Sequence, residues 1–298
     1  MKNSDIKEHV ELIREVFSYV HRFAGATFVF KVEYEVAEHP LFPVLVKDLA
    51  LLHGMGIRTL IIPGASGRIN EVLERYGIAS ESVDGVRIST PESIPFIKMA
   101  AFDVSNRIMT LLTANGANAV VGNWVRARSM GVIKGIDYGS TGVVERIDTP
   151  LVNKILDEGL IPILPCIGWN AVGTPYNISS GELARVASSQ LKAEKLFLLI
   201  PEDSILASSF TIPEGLGIAP EGRISRLDLQ SADAFLKANA DGGDRRLDYL
   251  RLACDTCRAG VPRVHIVDGR VEGVLLKEIF SNLGVGTMVH GNDYDSLR

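Results

Sequence analysis

A rhythm of short apolar runs set between helix-length segments constrains this chain more than any other feature. Beyond Gly25, the runs Phe28–Phe30, Leu60–Ile62, Ala119–Val121, Ile161–Leu164, Leu196–Ile200 and Val264–Val267 read as buried strands. Helical patterns fall between them, near 42–53, 68–76, 93–114, 149–158, 181–193, 246–258 and 272–282. Buried strands that alternate with helices imply a mostly parallel sheet covered on both faces. The crossovers are expected to be right-handed. Residues 201–245 break the rhythm; they are rich in Ser, Pro, Gly and Asp and read as a loop or hairpin with one short helix. No strong internal repeat and no linker divides the 298 residues.

Ahead of the rhythm, the first 24 residues read as an amphipathic helix. Ile6, Val10, Ile13, Phe17 and Val20 form one apolar row, and Leu12, Val16, Tyr19 and Phe23 form a second beside it. The face is wider than a single stripe. It suits a helix that touches two surfaces, and equally one packed wholly on its own domain. Asn3 or Ser4 is placed to cap its start and Gly25 to end it. Composition narrows the partners. At 46% hydrophobic and 22% charged residues the chain is an ordinary globular one. A net charge of −5 does not favour a nucleic-acid surface. No apolar run approaches the roughly 20 residues that span a bilayer, and the polar start Met1–Glu8 is no secretory signal. Neither a nucleic-acid nor a membrane partner is expected, and the location expected is cytoplasmic.

Three cysteines make no disulfide framework. Cys254 and Cys257 form a CxxC that, as a zinc site, would have to recruit Cys166 and a remote histidine. The plainer reading is two small buried thiols on one helix. No Ser–His–Asp set and no metal-ligand cluster can be assigned, so no metal and no cofactor is expected. In parallel α/β sheets, ligands sit at the carboxyl ends of the strands. There Lys31 can steady a phosphate or carboxylate, or be a solvated surface lysine. Gly64-Ala65-Ser66-Gly67 can bring backbone N–H groups to an anion at a helix start, or make a tight turn. Gly54-Met55-Gly56 precedes a strand and lacks a third glycine, so it is not a dinucleotide motif. Arg87, after Asp84-Gly85, can bind a carboxylate bidentately. Asn177 can orient a polar ligand just before a helix, where capping by a serine is the plain alternative. Near the C-terminus lie His265 inside an apolar strand, Glu278 late in a helix, and Gly284-Val285-Gly286-Thr287. Glu278 sits unfavourably near a negative helix end, which a neighbouring cation would ease.

From the N-terminal helix through Phe28–Lys31, Leu51-Leu52-His53, Val83–Arg87, Asp137–Gly142, Tyr176-Asn177, Leu191–Lys195, Ala259–Arg270 and Gly284–Thr287, the chain resembles the acetylglutamate branch of the amino-acid kinase family. The resemblance covers nearly the whole chain. It implies a three-layer αβα sandwich, with residues 1–24 as an oligomerisation helix and 25–298 as a kinase-like domain. Two subfamilies share the pattern: the acetylglutamate kinases, and the kinase-like domain that precedes an acetyltransferase domain in bacterial N-acetylglutamate synthases.

Departures from the kinase pattern separate the two. The kinase Lys-x-Gly-Gly reads Lys31-Val32-Glu33-Tyr34, and the glycine triplet reads Gly64-Ala65-Ser66. Gly181 stands where an aspartate follows Asn177, Ile200-Pro201-Glu202 replaces Thr-Asp-Val, and Asp244-Arg245-Arg246 replaces a second lysine. Phosphoryl transfer needs positive groups around the moving phosphate. The resemblance therefore implies no catalytic residue beyond the remnant Lys31, with Arg87, Asn177 and Gly64 as a binding remnant for N-acetylglutamate. Its arginine-sensing half persists. In arginine-sensitive members an N-terminal helix with a tyrosine interlaces dimers into a hexameric ring, and L-arginine binds beside it. The matching positions are Tyr19, Lys195, His265, Glu278, Gly284 and Gly286, and Glu278 gains a guanidinium to pair with. The implied function is an arginine-binding regulatory domain of an N-acetylglutamate synthase in arginine biosynthesis. The implied partners are a second copy, as dimer or hexamer, and an acetyltransferase domain or subunit, expected to begin where this chain ends at Arg298. The alternatives are a divergent acetylglutamate kinase and a free-standing arginine-sensing subunit.

Overall fold

In the computed structural model of the chain, residues 3–240, 242–281 and 284–291 are described, with the side chains of residues 3–9 and of Leu12 outside that description. The six apolar runs become six strands of one central sheet: β1 Thr27–Val32, β2 Arg58–Pro63, β3 Ala119–Val121, β4 Ile161–Ile163, β5 Lys195–Ile200 and β7 Arg263–Asp268. Two further strands, β6 Arg226–Asp228 and β8 Thr287–His290, extend one edge. The spatial order is β6-β8-β7-β5-β1-β2-β4-β3. Neighbours run parallel except β7 and β8. All six positions of β1, β5 and β7 are buried, as strands covered on both faces must be.

The covering layers are helices: α1 Asn3–Phe23, α2 Tyr34–Ala37, α3 Phe42–Gly54, α4 Ser66–Arg75, α5 Ile94–Ala114, α6 Thr149–Asp157, α7 Ser180–Gln190, α8 Leu229–Ala238, α9 Arg245–Arg258 and α10 Val274–Phe280. The result is the expected three-layer αβα arrangement. No helix among the described residues is long and apolar enough to cross a membrane. The stretch 201–245 holds its one α-helix, α8, and corrects the expectation in one respect: it also supplies β6, which pairs with β8. A smaller sheet of Pro175–Asn177, Ile167–Trp169, Val125–Ser129 and Gly142–Ile147 lies beside the main one. Asp84-Gly85 forms a hairpin turn with both residues at positive φ, +49° and +77°, the backbone that matches strand twist.

Register across the sheet brings distant residues into rows. Phe28, Lys195 and Arg263 are neighbours on β1, β5 and β7; two residues on, so are Phe30, Phe197 and His265. The second row is a stack. Phe30 and Phe197 lie 5.0 Å apart at 12°, and Phe197 and His265 lie 4.7 Å apart at 14°. Full burial of one such ring is worth about 1.5–3 kcal/mol.

The two rows of α1 part company. Tyr19 and Phe23, from the second row, pack inward: Tyr19 meets Phe280 at 5.1 Å and Phe23 meets Phe28 at 5.6 Å. Val10, Ile13 and Phe17, from the first row, are exposed at 38%, 52% and 71%. Ile6, Leu12 and the caps at Asn3 or Ser4 lie outside the described side chains. Gly25 ends the helix at φ +76°, and its N–H donates to the Gly56 carbonyl at 2.8 Å. Gly54-Met55-Gly56 itself closes α3, with Gly56 at φ +90°.

Candidate functional site

At the carboxyl end of β1, beside the end of β5, the chain fills the place where an anion would sit. Lys31 is buried, not solvated, and pairs with Glu33. Burial by itself would raise the Glu33 carboxyl, but the Lys31 charge and hydrogen bonds from Lys31 and Tyr249 outweigh it and hold it below the usual range. That carboxylate lies over the glycine turn, since a Cβ added at Gly64 would be 2.9 Å from Glu33 Oε2. One turn on, the ring of Tyr34 covers Gly67, leaving no room for a Cβ there. The Tyr34 hydroxyl donates to Glu71 at 2.8 Å. Arg245 then borders the cluster, 3.1 Å from Glu202 and 2.9 Å from the Tyr249 hydroxyl. The lysine's charge is met internally, and the turn that would admit a phosphate is covered.

Arg87 and Asn177 are likewise committed within the chain. Arg87 donates to Ser80 and Asn70. Asn177 is buried and donates from Nδ2 to Ser89 Oγ at 3.0 Å. Thr141 ties the two segments, donating to the Arg87 carbonyl at 2.6 Å and meeting Ser89 Oγ at 3.0 Å. The helix after Asn177 is capped by Ser179, which accepts from the Glu182 N–H at 3.3 Å. The cysteines lie elsewhere. Cys254 and Cys257 are buried on α9, and burial pushes their thiols up to about 11 and about 12. Cys166 is also buried, its thiol pushed up to about 11.

The open site lies at the opposite end of the sheet. A cavity of about 380 Å³ opens between α1, the starts of β5 and β7, and α10. Lys195 and Arg263 are the first residues of their strands, so the cavity faces the amino ends, where the carboxyl-end rule does not lead. Tyr19, Lys195, His265, Glu278 and Gly284 all line it. Gly286 stands just behind, held through its N–H. This volume is at the lower end for a small-molecule site.

Glu278 is eased in its position by donors of its own chain. It is buried, and its carboxylate accepts from three donors: His265 Nδ1 at 2.7 Å, Val285 N at 2.6 Å and Gly286 N at 2.7 Å. Burial opposes its charge, but the bonds from His265 and the two amides prevail and hold it at about 2. Gly284, at φ +58°, passes so close that an added Cβ would lie 2.7 Å from Glu278 Oε2. An added Cβ at Gly286 would collide with the Ile266 carbonyl. Because Nδ1 donates to the carboxylate, His265 Nε2 is left as an acceptor; it is buried and without a hydrogen-bond partner among the described residues. Burial lowers the imidazole's pKa and favours its neutral form.

Around Lys195 the cavity is aromatic. Its Nζ donates to the Tyr19 hydroxyl at 2.8 Å and lies 4.8–5.6 Å from the ring centres of Phe23, Tyr19 and Phe28. Burial drives this lysine down to about 7, with Arg263 adding to the effect. Two arginines went unremarked in the sequence. Arg223 is buried and donates to the Gly286 and Gly284 carbonyls at 2.7 and 3.3 Å, which fixes the loop under Glu278. Arg263 lines the cavity and pairs with Glu194 at 3.5 Å. The only local signal for Arg263 was a charged residue opening an apolar run, and Arg223 had none.

The profile of the amino acid kinase family matches residues 35–268. The chain belongs to that family. Within it, the chain is an amino-acid-kinase-like domain homologous to N-acetylglutamate synthase. It is 32% identical to the amino-acid acetyltransferase of Azotobacter vinelandii, over 98% of this chain and 67% of the relative. With that of Aeromonas salmonicida it shares 34% identity, over 97% of this chain and 66% of the relative. Among solved structures, N-acetylglutamate synthase from Neisseria gonorrhoeae, complexed with coenzyme A and N-acetyl-glutamate, superposes with a TM-score of 0.81 at 28% identity, covering 94% of this chain and 63% of that one. The same synthase complexed with coenzyme A and L-arginine also gives 0.81 at 28% identity, covering 94% of this chain and 65% of that one. The chain thus spans about two thirds of the length of these relatives.

Proposed function

We propose that this chain is the arginine-binding, regulatory kinase-like domain of an N-acetylglutamate synthase, acting in arginine biosynthesis and without kinase activity of its own. The observation that carries the reading is the contrast between the two ends of the sheet. The carboxyl end holds Glu33 and Tyr34 over its glycine turn. The amino end holds an open cavity with a buried carboxylate and a bare imidazole acceptor. In this reading the ligand's guanidinium donates to His265 Nε2 and to the remaining lone pair of Glu278 Oε1, and its carboxylate lies toward Lys195. The homologous synthase solved with coenzyme A and L-arginine supports the choice of ligand.

The first row of α1, exposed at Val10, Ile13 and Phe17, is the surface through which residues 1–24 join copies into a dimer or hexamer. Residues 25–298 form the kinase-like domain. Its proposed partner is an acetyltransferase domain or subunit, and its proposed location is the cytoplasm. Arg87 and Asn177 retain weak affinity for N-acetylglutamate. The test is calorimetric titration with L-arginine, ATP and N-acetylglutamate in turn. Saturable heat with arginine and none with ATP is expected. Binding of ATP with none of arginine favours a divergent acetylglutamate kinase instead.

A further inference from the structure

Lys195, in the wall of the cavity, carries an inference of its own. Lys195 is buried, and none of the described carboxylates forms an ion pair with it. The acids near it are engaged elsewhere: Glu194 with Arg263, and Glu278 with His265 and two backbone amides. On the other walls Arg22 from α1 and Arg263 from β7 bring charge of the same sign toward it, and Arg226 of β6 lines the same cavity. Tyr19 offers a hydroxyl and His265 a neutral ring, neither of which balances an ammonium. Glu15 lines the cavity on the exposed side of α1. The ring faces of Tyr19, Phe23 and Phe28 attract an ammonium, but burial beside like charges and without an anion makes it costly to keep charged.

We propose that binding of an amino-acid ligand in this cavity is coupled to uptake of one proton by Lys195, whose ammonium forms when the ligand's carboxylate arrives beside it. The proposal rests on the arginine reading above and adds its regulation. Before binding, on the alkaline side of neutrality, the Nζ lone pair is largely free and the amine donates one N–H to Tyr19. On binding, that lone pair takes a proton from the solvent, and the new ammonium pairs with the ligand's carboxylate across the same short space. The site's affinity then falls as the medium grows alkaline, because one proton has to be supplied with each ligand. The depressed lysine agrees with this geometry, lying at about 7 in the free chain.

The test is calorimetry of the full chain with L-arginine in two buffers of different ionisation enthalpy, at pH 8 and pH 6. From a free value of about 7, uptake of about 0.9 proton per ligand is expected at pH 8 and about 0.1 at pH 6, with affinity about tenfold weaker at the higher pH. Agmatine, which keeps the guanidinium and lacks the carboxylate, is expected to bind without proton uptake. Lys195→Arg holds its charge at both pH values and is expected to show none with arginine. Arginine that binds the wild-type chain at pH 8 with no net proton exchange overturns the proposal. So does agmatine that takes up as many protons as arginine. Should Lys195→Arg fail to fold, the buffer pair and the agmatine titration still decide. A wild-type chain that binds no arginine at either pH removes the underlying reading, and the proposal with it.

Discussion

At Glu278 three donors converge on one buried carboxylate, and that convergence has a measurable consequence. The group sits at about 2 in the folded chain against an ordinary value of 4.5. A depressed carboxylate stabilises the fold fully above its unfolded value, and the contribution is lost as the pH falls from about 4.5 toward about 2. In urea unfolding at about pH 5 and about pH 3, wild type is expected to lose more stability than Glu278→Gln. Equal losses would mean that His265 and the two amides do not stabilise the anion. Gly67 gives a packing prediction at the other end of the sheet. Its missing Cβ leaves room for the Tyr34 ring. Gly67→Ala should cost about 1–3 kcal/mol, as overpacking does. In a Tyr34→Ala background, itself less stable, the further change Gly67→Ala should cost little. An unchanged urea midpoint for Gly67→Ala would show that Tyr34 does not seal the turn.

The helix α1 marks how far the sequence could be read. Both apolar rows were legible from spacing, and so was the helix end at Gly25. Which row turns inward was not, because Phe28 and Phe280 decide it from distant parts of the chain. The same holds for the site. His265 and Glu278 could be singled out through the family resemblance, but their bond depends on how β7 and α10 pack. The six apolar runs carried their own signal even where the strand, as in β3 and β4, has only three residues; β6, Arg226–Asp228, and β8, Thr287–His290, begin and end on polar or charged residues and follow from pairing alone. For α1 itself, deletion of residues 1–24 is expected to leave a folded α/β body that light scattering reports as dimers, and to weaken arginine binding by removing Tyr19. A wild-type chain that scatters as a monomer at micromolar concentration contradicts the role given to the exposed row.

Across the whole molecule the sheet separates two ends, one filled from within and one opening on a cavity. Loss of a single electrostatic stabiliser typically lowers a rate by about 100 to 1,000-fold, and on the proposed reading the carboxyl end departs from the kinase pattern at several positions. A coupled assay with ATP and N-acetylglutamate should therefore stay at background. Turnover near about 1 per second, within the usual enzyme range, would restore the kinase reading. Equilibrium dialysis of L-arginine against the wild-type chain and Glu278→Gln side by side asks whether the amino-end cavity binds arginine through its buried carboxylate. Removing the charge from a desolvated pair costs about 2–5 kcal/mol. One saturable site per wild-type chain is expected below millimolar ligand, with affinity lower by at least about 30-fold in the variant. No bound arginine at millimolar concentration, or equal binding by the two chains, would contradict binding of arginine through that carboxylate.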